Sequence, residues 1–156
     1  MSFVEAIKSG FQKFGEIGGR ASRSEYWYFT LFIFLISTPL NFAIPLLGEK
    51  FAIVLSIIFS VMVLPPCITV SVRRYHDIGI SGFWFLGLLT LGLGPWFYFS
   101  YMISTGSLNY DLVFSENLDF GILSGICYII HIGICLIPSS PNKNEWGLSI
   151  VGETKT

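Results

Sequence analysis

Four long apolar runs dominate the hydrophobic pattern of this chain, and none of them contains an Asp, Glu, Lys or Arg. The runs cover residues 26–47, 51–70, 83–103 and 120–137. At 1.5 Å per helical residue the first run is about 33 Å long, enough to cross a hydrocarbon layer of about 30 Å, whereas the fourth only just reaches. The pattern therefore predicts an all-α, polytopic membrane protein with four transmembrane helices.

A shorter amphipathic pattern precedes the first run. Its aromatic and aliphatic residues recur at helical spacing between charged and amide residues: Phe3, Ile7, Phe11 and Phe14. This spacing is typical of a short helix that lies in the membrane interface, here over residues 2–16. Residues 138–156 follow the last run as a tail, and we expect residues 1–156 to form a single membrane domain.

Composition excludes several classes of protein. Hydrophobic residues make up 53% of the chain and charged residues 12%, against about 25% charged in an average soluble domain. With a formal net charge of -1 there is no basic face for nucleic acid. The three cysteines lie within apolar runs without metal-ligand spacing, and the two histidines are far apart, so we expect no metal and no cofactor.

The distribution of Lys and Arg predicts the orientation. With four spans, eight of the nine basic residues fall on one side of the membrane and one, Lys50, on the other. The positive-inside rule then places both termini in the cytoplasm. The side of the tail depends on whether the fourth run crosses completely.

A second set of polar residues lies inside the apolar runs. Pro39 and Pro45 flank Asn41, Pro65 and Pro66 lie in the second run, and His131 lies in the fourth. Broken helices and intramembrane ionisable groups are typical of transport sites, which gives one hypothesis, a small transporter or channel subunit that uses proline-broken helices. The other interpretation is that the prolines only bend the helices and His131 bonds a neighbouring helix.

Charged residues cluster just outside the runs. The five residues Arg73-Arg74-Tyr75-His76-Asp77 stand between the second and third runs, and holding each of these charges at the bilayer centre would cost about 3 kcal/mol. They are therefore expected at a headgroup boundary. Glu25 follows Ser22 at capping-box spacing, which predicts a helix cap at the start of the first span.

Three sequence pieces carry a resemblance to a known family. They are Gly19 to Trp27 (GRASRSEYW), Arg73 to Asp77 followed by Ser81-Gly82-Phe83-Trp84, and Asn144-Glu145-Trp146-Gly147. In order and spacing the chain resembles the bacterial inner-membrane family known as domain of unknown function 805, the YhaH-like proteins. The resemblance implies a small helical protein of the bacterial inner membrane, without an established reaction or ligand. This chain departs from the family by having Tyr75 in place of the usual Leu, and by a longer stretch between the second and third pieces.

The family signatures fall on nine residues, which form the predicted polar cluster: Arg20, Arg23, Glu25, Arg73, Arg74, His76, Asp77, Asn144 and Gly147. Arginines near helix-start amides suit an anionic group such as a lipid headgroup phosphate, with Glu25 and Asp77 orienting the guanidinium groups. The same residues also suit an ion-pair network that only fixes how the helices meet the interface. A second predicted site, inside the membrane, consists of His131 and Asn41.

These patterns favour a non-enzymatic role. His76 and Asp77 are adjacent and cannot face each other on a helix, and no nucleophile or phosphate-loop motif accompanies them. The sequence thus predicts a scaffold or regulatory protein of the inner membrane. Its expected partners are the lipid bilayer, anionic lipid headgroups or other membrane proteins.

Overall fold

A computed structural model of the protein describes the backbone of residues 1–43, 48–104 and 110–150. It also describes the side chains of these residues, except those of 41–43, 49–50, 52–53, 94–104 and 110–120. The described chain folds into five helices: α1 (Phe3–Gln12), α2 (Arg23–Ala43), α3 (Glu49–Asp77), α4 (Gly82–Ser104) and α5 (Tyr110–Leu136). No strand occurs in these ranges beyond an isolated bridge between Asn144 and Gly147. The all-α prediction is confirmed.

The helices begin and end at places that differ from the apolar runs. The third helix continues to Asp77, so the charged motif that was expected between two helices is the end of α3 itself. The fifth helix begins at Tyr110, well before the predicted run at 120, and α1 ends at Gln12 rather than at residue 16. The remainder of the first run, 44–47, lies outside the described residues. Hydropathy follows the membrane, whereas a helix ends only where its backbone finds other partners.

One stretch among the described residues, Val54–Asp77, is long and apolar enough to cross a membrane by its length and composition. Shorter apolar stretches, Gly82–Leu93 and Gly121–Leu136, occur within α4 and α5. This finding establishes one candidate span, whereas the pattern of apolar runs predicted four.

The prolines do not interrupt the helices. Pro39 lies inside α2, Pro65 and Pro66 lie inside α3, and α4 is continuous across residues 92–95. The expectation of proline-broken helices is therefore wrong for these described segments. A proline withdraws one amide donor and bends the helix, but the turns on either side keep their own hydrogen bonds.

The chain divides into two compact units. The first comprises Met1–Ile80 together with Pro138–Thr156, and the second comprises Ser81–Ile137. Helices α1, α2 and α3 therefore form one unit with the tail, although α4 and α5 separate the tail from them in the sequence. In the second unit α4 packs against α5, where the Ser124 hydroxyl donates to the Gly92 carbonyl over 2.8 Å.

Helix α1 is capped at its start and tightly packed on α2. The Ser2 amide donates to the Glu5 carboxylate over 2.7 Å, and the Ser2 hydroxyl accepts from the Glu5 amide over 3.3 Å. The hydrogen bond from the Ser2 amide, followed by that with the Ser2 hydroxyl, lowers the pKa of Glu5. Further along, Gly10 faces Phe29 so closely that a Cβ at this position would lie 2.4 Å from two ring carbons of Phe29. Only a glycine allows this approach.

We expect Gly10→Val to loosen α1 from α2 and to lower the free energy of unfolding by about 1–3 kcal/mol, because the buried Phe29 ring cannot move without overpacking. Gly15→Val is the matched control, since no heavy atom lies within 4 Å of a Cβ there. Hydrogen exchange of the α1 amides in detergent micelles measures the loosening. Unchanged protection of α1 in Gly10→Val would show that the contact does not hold the helix.

Candidate polar cluster at the end of α3

The last part of α3 is buried on all sides. Every residue from Ser71 to Asp77 is buried, and Arg74, Tyr75 and Asp77 are 0% exposed. An amphipathic helix buries one stripe, so seven consecutive buried residues mean that other segments surround this end of α3. The surrounding segments are α1, the lead-in segment (residues 19–25) and the tail.

Asp77 is the centre of the first half of the cluster. Its Oδ1 accepts from Arg20 Nε over 2.9 Å, and its Oδ2 accepts from Arg74 Nη1 over 2.5 Å. The carboxylate and the side chain of Arg74 are 0% exposed and that of Arg20 is 2% exposed. A carboxylate shared by two buried guanidinium groups compensates charges that water does not reach.

Arg20 also caps the C-terminus of α3. Its Nη2 donates to the Asp77 carbonyl over 3.0 Å and to the Ser140 carbonyl over 2.6 Å, and its Nη1 donates to the Asn142 carbonyl over 2.9 Å. The last carbonyls of a helix lack intrahelical partners and carry a partial negative charge, so a guanidinium group there satisfies both needs. One side chain thereby joins the lead-in segment, the end of α3 and the tail.

Glu25 is the centre of the second half. Its Oε1 accepts from Arg73 Nη2 over 2.9 Å and from the Ser9 hydroxyl over 2.8 Å, so α1, α2 and α3 meet at one carboxylate oxygen. The Glu25 amide bonds the Ser22 hydroxyl over 3.2 Å, which is the predicted capping contact. The Ala21 amide donates to the Arg73 carbonyl over 3.0 Å and fixes the lead-in segment along α3.

The tail closes the cluster through His76. The ring of Trp146 stacks on the imidazole with centroids 4.4 Å apart and planes 7° apart. Asn144 Nδ2 donates to the His76 carbonyl over 2.7 Å, while Asn144 Oδ1 accepts from the Trp146 amide over 3.0 Å. The imidazole Nδ1 lies 3.3 Å from the Gly19 carbonyl on its other side. The histidine is thus held by packing on both sides.

The structure places most of the nine predicted residues together. Those in contact are Arg20, Glu25, Arg73, Arg74, His76, Asp77 and Asn144, with Gly147 joined to Asn144 by the bridge. Arg23 is exposed and lies outside the network of hydrogen bonds described above. Sequence reasoning missed Ser9, Ser140 and Asn142. Ser9 contributes a side-chain hydroxyl, and serines are frequent in this chain. Ser140 and Asn142 contribute only backbone carbonyls, which every residue type has.

This arrangement satisfies charges inside the protein. Three buried guanidinium groups face two buried carboxylates, and the carbonyls at the end of α3 supply further negative potential. Arg73 Nε is the buried side-chain atom that lacks a partner among the described residues. Among the same residues no group of three His, Cys, Asp or Glu is placed to hold a metal ion. Because Asp77 and Glu25 are already bound to arginines, neither is placed to act as a general base.

Of the second predicted site, the structure describes the side chain of His131. His131 lines an apolar cleft of about 270 Å³ between α4 and α5, together with residues such as Phe85, Leu89 and Tyr128. Its imidazole lies 5.2 Å from the Phe85 ring, centroid to centroid. Asn41, its predicted companion, lies outside the residues whose side chains are described.

Fold and cluster together define a class: an all-α protein with an apolar helix able to cross a bilayer, which ends in a buried ionic cluster. The chain belongs to the family described as protein of unknown function (DUF805), which matches residues 14–148. Two relatives, from Escherichia coli strain K12 and E. coli O157:H7, are each called inner membrane protein YhaI. Each is 35% identical over 68 residues, which are 44% of this chain and 57% of the relative. The chain thus spans little more than half the length of these curated relatives. No solved structure matches it.

Proposed function

We propose that this chain is a multi-pass protein of the bacterial inner membrane, with α2, α3, α4 and α5 as its four spans and both termini in the cytoplasm. Its role is that of a non-enzymatic scaffold or regulatory protein. The buried polar cluster acts as a brace that joins the lead-in segment, the end of α3 and the tail. The apolar helix Val54–Asp77 and the inner-membrane relatives support the location.

The contacts of Arg20 carry this proposal. Arg20 bonds Asp77, Ser140 and Asn142, which are 57, 120 and 122 residues away in the sequence. Groups in hydrogen-bond contact lie at the same depth in the membrane. The chain must therefore cross an even number of times between Arg20 and Asp77, and again between Asp77 and Ser140. Two helices in each interval, α2 with α3 and α4 with α5, meet this condition.

The distribution of basic residues and the internal hydrogen bonds of the cluster support the proposed orientation and the proposed scaffold role. The basic residues of the cluster and tail lie on the side that the positive-inside rule assigns to the cytoplasm. Because the buried guanidinium groups bond carboxylates and carbonyls of the chain itself, the geometry favours bracing over capture of a free anion within the cluster. A network in which the carboxylates are bound by arginines suits a scaffold better than a reaction centre, which needs an accessible group.

Cysteine labelling in intact cells tests the topology. In a background with Cys67, Cys127 and Cys135 replaced by serine or alanine, a membrane-impermeant maleimide should label Lys50→Cys and Ser107→Cys from outside. Glu16→Cys and Lys143→Cys should react only after the inner membrane is permeabilised. Labelling of Lys143→Cys in intact cells, with Glu16→Cys protected, would contradict the even number of crossings. Wild-type unfolding behaviour of the background variant is the control for its fold.

A further inference from the structure

We propose that α1 is a docked lipid-contact helix: its exposed apolar flank inserts into the bilayer interface, and Lys8 and Lys13 contact anionic lipid headgroups. This inference rests on the proposed membrane location. It places the lipid contact on α1, outside the buried polar cluster.

The first argument is that α1 is pinned. Ser9 Oγ donates to Glu25 over 2.8 Å, and Thr69 Oγ1 lies 2.6 Å from the carbonyl of Phe14, just past the end of the helix. The contact of Gly10 with Phe29 is a close approach of α1 to α2. Polar bonds to both α2 and α3 thus fix the rotation of α1 and of the turn that follows it. The side chains that it leaves outside are held there by the fold.

The second argument is what the pinned helix exposes. The exposed apolar side chains are those of Val4 (58% exposed) and Phe11 (36%) on α1, and of Phe14 (57%) and Ile17 (65%) in the segment that follows it. Lys8 and Lys13, which lie among these residues in the sequence, are also exposed. An apolar flank bordered by lysines is the composition of helices that lie in an anionic membrane surface.

The third argument is the place of contact on α2. Phe3 packs edge-to-face on Tyr28, and Phe11 packs on Phe29 and Phe32, with ring centroids 5.6–6.0 Å apart. All three partners lie in the first turns of a proposed span. These ring contacts place α1 beside the first turns of α2, which in the proposed topology is the depth where headgroups meet acyl chains. A lipid bilayer covers such a flank without a further partner.

Photo-crosslinking in the full chain tests which molecule covers the flank. A photoreactive phenylalanine analogue is introduced at Phe11, and at Gln12 as the exposed polar neighbour on the same helix, and a third variant carries it at Phe14 in the following turn. After irradiation in vesicles of phosphatidylethanolamine and phosphatidylglycerol, the Phe11 and Phe14 probes should each give at least five-fold more lipid adducts than the Gln12 probe. Adducts of dimer size would assign the flank to a second copy of the chain. Equal lipid yields would overturn the proposal as well.

The role of Lys8 and Lys13 is tested by measuring how much phosphatidylglycerol copurifies with the protein. The purified double variant Lys8→Gln/Lys13→Gln should retain less phosphatidylglycerol than the wild type. We expect the enrichment to fall about five-fold for each lysine removed, which corresponds to about 1 kcal/mol for each basic residue near an anionic surface. Lys143→Gln/Lys155→Gln removes the same charge from the tail and should retain the enrichment. Equal losses in the two variants would show that net charge acts without α1. Failure of the topology itself would appear in the cysteine labelling, independently of either lipid assay.

Discussion

Replacement of Asp77 by alanine should lower the free energy of unfolding by about 3–5 kcal/mol, because it leaves the buried guanidinium groups of Arg20 and Arg74 without their shared counter-charge. The loss also removes the group that orients Arg20 towards the tail. Unfolding of the purified chain in mixed micelles measures the effect. Asp77→Asn preserves the volume and should be similarly destabilised.

The matched control for this prediction is Arg23→Ala. Arg23 belongs to the same sequence signature as Arg20 but is exposed, so its removal should change the free energy of unfolding by no more than about 0.5 kcal/mol. A comparable loss in Arg23→Ala and Asp77→Ala would mean that the signature acts through something other than burial. An Asp77→Asn variant as stable as the wild type would show that the shared carboxylate charge does not stabilise the cluster.

The pair of Glu25 and Arg73 should show strong coupling. Each single change, Glu25→Leu or Arg73→Met, isolates one buried charge and should cost about 3–5 kcal/mol. The double variant replaces the whole pair by apolar side chains and should recover much of this loss, since such replacements are often neutral or stabilising. The same micelle unfolding assay gives the double-mutant cycle. Losses that simply add would show that the two side chains do not depend on each other.

Local patterns predicted the helices and part of the cluster. Apolar runs without charges predicted the helical class, and the capping-box spacing of Ser22 and Glu25 correctly located the start of α2. The resemblance to the family identified most of the residues that come together, and the charged motif around Asp77 marked the end of α3 where they meet. The pattern of apolar runs ended the second span at residue 70, whereas helix α3 continues through these charged residues. In the structure they lie within its last turns, where other segments surround them.

Long-range and backbone contacts could not be predicted from the sequence. Nothing in the identity of Ser140 or Asn142 indicates that their carbonyls bond Arg20. The stack of Trp146 on His76 likewise depends on the tail returning to α3 after two intervening helices. Arg23 shows the opposite error: it stands in the same motif as Arg20, but the register of the lead-in segment turns it outward.

The reach of Arg20 along the chain has a consequence for biogenesis. Its partners at Asp77, Ser140 and Asn142 leave the ribosome in that order, the last two only after α4 and α5 have been synthesised. Until then the end of α3 lacks the Ser140 amide that bonds the Asp77 carbonyl. The ion pairs of the cluster join residues up to 77, whereas Arg20 gains its last carbonyl partners only after residue 142 has been synthesised. The cluster is therefore complete only when nearly the whole chain has been made, and a chain that stops before residue 140 lacks the partners that the tail supplies to Arg20 and to the end of α3.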